Sequence, residues 1–174
     1  MIIPERIINV MVYDGKTGEF FGDAVSMDLP EVSFRSDTVS GAGIAGEYEA
    51  PTVGHFEAMT ATINWRSIAT KSFKLLISDA VDLDVRSAIQ TYDSGTGKRS
   101  FQQFRASLRV TPRSWSGPSL EAGSTEGGST ELNVMRYHVW LDNVSVLEAD
   151  PTNYVYKVAG VDQLAPVRYA LGLS

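Results

Sequence analysis

Cysteine is absent from the 174 residues. That excludes disulfides, thiolate zinc sites, thiol redox chemistry and a cysteine nucleophile, and it leaves the cellular compartment open. Histidine is scarce, at His55 and His138 only, so imidazole chemistry has little to draw on. Long apolar runs are missing as well. No stretch approaches the ~18 residues of a membrane span, and the N-terminus has no basic-then-apolar leader pattern, so the chain reads as soluble, with no membrane partner and no secretory signal. Positive charge is in deficit, with 15 Lys and Arg against 21 Asp and Glu and a net charge of −6. A molecule of that sign repels polyanions, which argues against a general nucleic-acid binder.

What is present is a globular composition, 43% hydrophobic and 10% aromatic. A chain of this length buries roughly 70% of its unfolded surface and needs no disulfide or metal staple, and residues 1–174 read as one domain. Strand signals dominate. Ile7 to Tyr13 and Glu19 to Phe21 flank Asp14-Gly15-Lys16-Thr17-Gly18, which predicts an opening hairpin. Ala24 to Leu29 and Val32 to Arg35 follow as short strands. Residues 37–54 dissolve into Gly, Ala, Ser, Thr and Glu and read as a long loop, which in a small domain needs a purpose. Met59, Ala61, Ile63 and Trp65 then alternate with polar residues as a half-buried strand does, and Ile68 to Ile77 fits one face of a short helix. Val81 to Tyr92 and Phe104 to Thr111 form a long hairpin, apolar on one face and polar on the other, turning at Asp93-Ser94-Gly95-Thr96-Gly97. Residues 112–131 read as a flexible connection. A strand over Leu132 to Leu147 changes parity near Asp142-Asn143, which predicts a bulge. Tyr154 to Val158 is a last strand, and the tail beyond Gly160 is predicted to turn helical from about Val161. With about eight or nine strands and one helix, the fold class is mainly β, a β-sandwich or barrel with one packed α-helix.

Motifs that carry chemistry are weak. Gly41-Ala42-Gly43-Ile44-Ala45-Gly46 spells G-x-G-x-x-G, but it leads into Glu47-Tyr48-Glu49-Ala50-Pro51, no helix can follow, and positions 60–66 hold no carboxylate for a ribose. Gly97-Lys98 is followed by Arg99 where a phosphate loop needs Ser or Thr. No G-x-S-x-G elbow surrounds any serine, and His138 and Asp142 lie about 13 Å apart along an extended strand. Asp82 with Asp84 and Glu47 with Glu49 are carboxylate pairs on solvated faces. We therefore expect no catalytic residue, cofactor or metal, and no enzyme. Lys98, Arg99, Arg105, Arg109 and Arg113 form a run without an acid. On the long hairpin Arg105 and Arg109 lie opposite Asp82 and Asp84, so neutralisation across strands is the expectation rather than phosphate binding. Asn143-Val144-Ser145 is a glycosylation sequon by spelling alone.

Two stretches carry a resemblance. They are Val39 to Gly46 with Ala50-Pro51, and the C-terminal Tyr154-Val155-Tyr156-Lys157-Val158-Ala159-Gly160-Val161-Asp162-Gln163-Leu164 continuing to Arg168 and Leu171-Gly172-Leu173. The N-terminal hairpin and the strand through Trp65 fit as well. In these the chain resembles the major tail tube proteins of contractile-tailed, P2-like bacteriophages and related bacteriocins. The resemblance implies a phage tail tube fold assembling into a homohexamer whose rings stack into a hollow conduit for DNA ejection. It implies sheath, tape-measure, baseplate and tail terminator proteins as partners, transient passage of DNA without specific binding, and a place in the virion tail after assembly in the host cytoplasm. Residues 37–54 then gain a purpose as an inter-ring loop, with Val39, Gly41, Gly43, Ile44, Gly46, Tyr48 and Pro51 as its candidate contacts. Asp82, Asp84, Arg86, Arg105, Ser107 and Arg109 become the candidate lumen-lining or inter-subunit face of the long hairpin, which needs an apolar side toward its core and a polar side toward water. From the net charge we expect an acidic lumen from which DNA phosphates are repelled. Two other readings fit the same residues. One is the tube of a headless phage-tail-like bacteriocin or injection system, and the other, of a different class, is a monomeric β-sandwich binding module using Trp65, Trp115 and Trp140 as stacking platforms.

Overall fold

Period-two alternation decides the architecture. The computed structural model describes residues 1–22, 24–123 and 127–173. Its strands are β1 (Ile2–Asp14), β2 (Ala24–Asp28), β3 (Phe34–Val39), β4 (Tyr48–Phe56), β5 (Met59–Trp65), β6 (Val81–Asp93), β7 (Arg99–Ser116), β8 (Ser129–Leu141), β9 (Val144–Asp150), β10 (Val155–Val158) and β11 (Val161–Asp162), with short helices α1 (Thr70–Phe73) and α2 (Ala165–Leu171). The main sheet runs β1-β6-β7-β8-β9-β10-β11, with antiparallel pairing throughout. It forks at β8, whose first half, Ser129 to Val134, pairs with β5 while its second half, Tyr137 to Leu141, pairs with β9. β5 in turn pairs with β2. β3 and β4 form a separate two-stranded sheet.

The core lies between the inner face of β1-β6-β7-β8 and the β5–β2 branch. Met59, Ala61, Ile63 and Trp65 are buried on β5 and share one cluster with Val12, Leu83, Val85, Ala106 and Leu108. Each fully buried side chain of the Ile or Leu class contributes about 1.5–3 kcal/mol. Trp65 satisfies its indole by donating Nε1–H to Thr130 Oγ1 at 2.9 Å, and Thr130 is itself buried.

Several expectations change. The opening hairpin is present but short: the chain turns at Asp14 to Gly18 and returns against the end of β1, with the Asp14 amide donating to Glu19, the Phe21 amide donating to Val12 and a bridge from Tyr13 to Phe20, while β1 pairs along its length with β6. Residues 37–54 are not a structureless loop: β3 and β4 take up both ends, leaving a tip at 40–47. The connection expected over 112–131 is strand at both ends, with Pro112 opposite Leu132 and Ser116 opposite Ser129; residues 124–126 of it lie outside the described residues. The parity change at Asp142-Asn143 is a chain reversal, not a bulge. Both residues have positive φ, 46° and 63°, the requirement of a two-residue type I′ hairpin turn, in which Asp and Asn are tolerated. The helix expected over 68–77 is one turn of α1 followed by a 3₁₀ turn, because no side chain caps its start and the chain must enter β6 within a few residues. The tail forms β11 first and becomes helical at Ala165, ending on Gly172 with φ 69°. Among the described residues there are thus two short α-helices, one at each place where a helical stretch was expected.

Candidate functional site

The long hairpin presents its polar side as expected, and its register sets the charge pattern. Asp82 faces Arg109, Asp84 faces Ser107, and Arg86 faces Arg105. Asp82 accepts from Arg109 Nε at 2.8 Å and Nη2 at 3.2 Å. The hydrogen bond from Arg109 holds the Asp82 carboxyl below its ordinary range, and Asp82 in turn raises Arg109. Two guanidinium groups directly opposite one another repel, and Asp84 resolves the conflict between Arg86 and Arg105. Only 7% exposed, it accepts from Arg105 Nε at 2.8 Å through one oxygen and from Arg86 Nη2 at 2.7 Å through the other. Aromatic rings complete the row, with Arg86 over Tyr13 and Arg105 over Trp140 at 5.4 and 5.1 Å, contacts that favour a cation on the ring face.

The same face continues across β8, β9 and β10. Arg136 and Lys157 both reach Glu148, at 2.9 and 3.7 Å. His138 stacks on Trp140 with centroids 3.7 Å apart, and its Nε2 lies 2.8 Å from Ser145 Oγ. Burial lowers the His138 pKa against the opposing pull of Glu148, and the cations Arg136, Lys157 and Arg105 act in the same direction as burial. Arg86, Arg105, Arg109, Arg136 and Lys157 thus stand against Asp82, Asp84 and Glu148. These groups carry more cations than carboxylates and are not acidic, so the whole-chain charge of −6 does not describe this face.

The acidity lies partly on the β3–β4 hairpin. From Asp37 to Glu49 there are three carboxylates and no cation, and among the described residues none of the three is in an ion pair. The candidate contacts sit together on this arm: Val39 opposite Tyr48, Pro51 opposite Ser36, and Gly41, Gly43, Ile44 and Gly46 in the exposed tip. Gly41 accepts a tight-turn hydrogen bond from the Ile44 amide, and Gly43 has φ 95°. No helix follows these glycines, so they offer no helix N-terminus to a dinucleotide. The arm is anchored at its base. Phe34, Phe56 and Tyr156 pack with centroids 5.3–5.4 Å apart. Gly54, at φ +82°, lies so close to Leu164 that a Cβ there would come within 2.5 Å of its Cδ2.

One surface escapes a reading based on the long hairpin alone. β1 is an edge strand of 13 residues, and Ile2, Ile3, Ile7 and Ile8 on it are 67%, 39%, 63% and 50% exposed. The signal was present in the sequence. The doublets Ile2-Ile3 and Ile7-Ile8 put apolar groups on both faces of a strand, where alternation would put them on one. The three tryptophans do not form a platform: Trp65 is in the core, Trp115 packs on Phe73, and Trp140 lies between His138 and Arg105. His55 is exposed at the end of β4. No helix of the described residues is long and apolar enough to cross a membrane.

Comparison with known proteins follows this geometry. A family model described as phage tail tube protein FII matches residues 4–172. None of the curated proteins compared with the chain matches it. Among solved structures, the sheath/tube terminator of an extracellular contractile injection system, PVC, in its extended state is similar at TM-score 0.52 and 16% identity, over 80% of this chain and 96% of that one. A chain of the PVC sheath-tube complex in the extended state is similar at TM-score 0.51 and 16% identity, over 79% and 90%. At that identity the likeness is one of fold.

Proposed function

The chain belongs to the phage tail tube protein FII family, and from that premise we propose that six copies close into a ring and that such rings stack into the inner tube of a contractile tail. The family match, which spans nearly the whole chain, carries the reading of a structural tail tube subunit. The fold supplies what a ring needs. A long sheet with one apolar and one polar face separates core from solvent. An open β1 edge leaves backbone groups for another copy to pair, and ring closure removes that edge.

In this reading the polar face of β6 and β7, with Asp82, Asp84, Arg86, Arg105, Ser107 and Arg109, lines the lumen. Its three arginines stand 2.7–2.8 Å from two carboxylates, so most of the opposing field cancels over a distance shorter than the ~8 Å screening length of physiological salt, leaving one positive charge per copy. DNA then passes a wall whose charges are mostly paired with a small positive excess, in place of the acidic wall expected from net charge. The β3–β4 arm reaches toward the neighbouring ring. Sheath, tape-measure, baseplate and terminator proteins are the partners such a tube takes, in a virion tail assembled in the host cytoplasm. The likeness to injection-system chains favours a second setting, a tube that passes no genome, and neighbouring capsid and terminase genes separate the two.

Negative-stain microscopy with sedimentation of the purified protein tests the assembly. Rings or tubes with a central channel are expected. A species that stays monomeric at high concentration and forms neither overturns it and favours the monomeric binding module.

A further inference from the structure

We infer that the polar face of the main sheet binds an acidic polypeptide segment that also carries apolar side chains, with β7 as its cationic stripe. The inference rests on the tube reading above for its setting, the lumen.

The stripe begins in the sequence. From Lys98 to Arg113 there are five cations and no carboxylate, and the register with β6 puts Arg99, Phe101, Gln103, Arg105, Ser107 and Arg109 on the polar side. Neighbouring strands add Arg6, Arg86, Arg136 and Lys157. Against these seven cations stand five carboxylates, Glu5, Asp82, Asp84, Glu148 and Asp150, the last occupied by its own turn through Thr152 and Asn153. The face is thus positive in a chain of net charge −6, and the remaining surface is more acidic than the total. An acidic segment is repelled elsewhere and steered here.

Several of these cations keep donors free. Arg105 gives only its Nε to Asp84, and among the described residues its terminal nitrogens have no acceptor. Arg99 meets a carboxylate only at 3.5 Å, that of Glu5, and lies over the Tyr92 ring. Arg6 is exposed and, among the described residues, in no ion pair. A guanidinium fork with free nitrogens matches the two oxygens of a carboxylate. Apolar groups lie between the cations. Phe101 is 67% exposed, and Met11, opposite Arg86, and Ile3, opposite Tyr92, are exposed as well.

A DNA duplex fits this face poorly. So small an excess of charge releases few counterions, the carboxylates beside the arginines repel phosphates, and stacked bases leave Phe101, Met11 and Ile3 nothing to pack on. A polypeptide carries carboxylates and apolar groups on separate side chains and can meet both.

The probes are a fluorescein-labelled peptide rich in Glu and Leu and a labelled DNA duplex, each titrated with the purified protein and read by anisotropy, while microscopy records whether tubes are present. The peptide is expected to bind at least about tenfold more tightly than the duplex and to weaken as salt rises. Arg99→Gln together with Arg105→Gln is expected to weaken it about tenfold and Phe101→Ser several-fold, whereas Arg66→Gln, just beyond β5 in the other layer, leaves it unchanged. Circular dichroism confirms folding, and Phe101→Ser alone carries the comparison if the double variant misfolds. Tubes that bind no peptide, that bind the duplex as tightly, or that keep full peptide affinity in the folded face variants overturn the inference and leave the tube reading intact. A protein that forms no tubes yet binds the peptide through these residues overturns the tube reading and keeps the binding face.

Discussion

Asp84 is the residue on which the polar face turns. Its carboxylate bridges two arginines that register places directly opposite each other, and it is nearly buried. Hydrogen bonds to charged groups contribute about 1.5–3 kcal/mol, so Asp84→Asn is expected to destabilise by about that amount. Asp82→Asn breaks a more exposed pair and is expected to cost under about 1 kcal/mol. Urea unfolding at neutral pH measures both, and equal losses would show that Asp84 has no special place. The sequence pointed to Arg105 and Arg109 facing Asp82 and Asp84, because alternation on two joined strands fixes which residues share a face. It did not give the one-residue register that pairs Asp82 with Arg109 and leaves Asp84 bridging Arg86 and Arg105.

At the scale of elements, turns decided where the reading by alternation held and where it broke. β5, β6 and β7 were legible because each runs apolar and polar residues in strict succession. The β8–β9 hairpin was not, because the two-residue turn preserves hydrophobic continuity on both sides and looks like a bulge in one strand. Asn143 has φ 63°, and glycine is the residue most at ease there. Asn143→Gly is expected to keep or raise the thermal midpoint, while Asn143→Val, β-branched at positive φ, is expected to lower it by several degrees. A calorimetric scan of the two variants checks the turn; if valine is tolerated as well as glycine, the chain does not reverse there. The β3–β4 arm was hidden for a different reason. Its residues are small and polar, so nothing in their pattern marks strands, and the pairing is held by the Phe34–Phe56–Tyr156 cluster at its base.

For the molecule as a whole, the carboxylates give stability a definite pH window. Asp82 and Asp162 are lowered first by their arginine partners, Arg109 and Arg168, and Asp14 first by the Thr17 amide. Burial would raise Asp150, but hydrogen bonds from Thr152 and Asn153 outweigh it. A carboxyl whose folded pKa is depressed contributes fully above its unfolded value and loses that contribution as pH falls through the folded one. Tyr137 has the opposite sign, since burial raises it from 10.0: its contribution is complete below that value and fades as pH climbs through the raised one. Thermal midpoints are therefore expected to begin falling below about pH 6.5, where the depressed His138 takes up its proton more readily in the unfolded chain, to fall further below about pH 4 and to fall above about pH 10; a midpoint unchanged at pH 3 contradicts the acid half. The sequence by itself determined a β-rich single chain, the apolar and polar faces of its long hairpin, and the resemblance that the family match bears out, because these depend on local alternation and residue order. Only the tertiary structure decided that β1 pairs β6, that β8 forks between β5 and β9, and that the acidity leaves the polar face for the arm. Those outcomes depend on which distant strands find each other, and strand pairing is set by long-range packing and register that no local pattern contains.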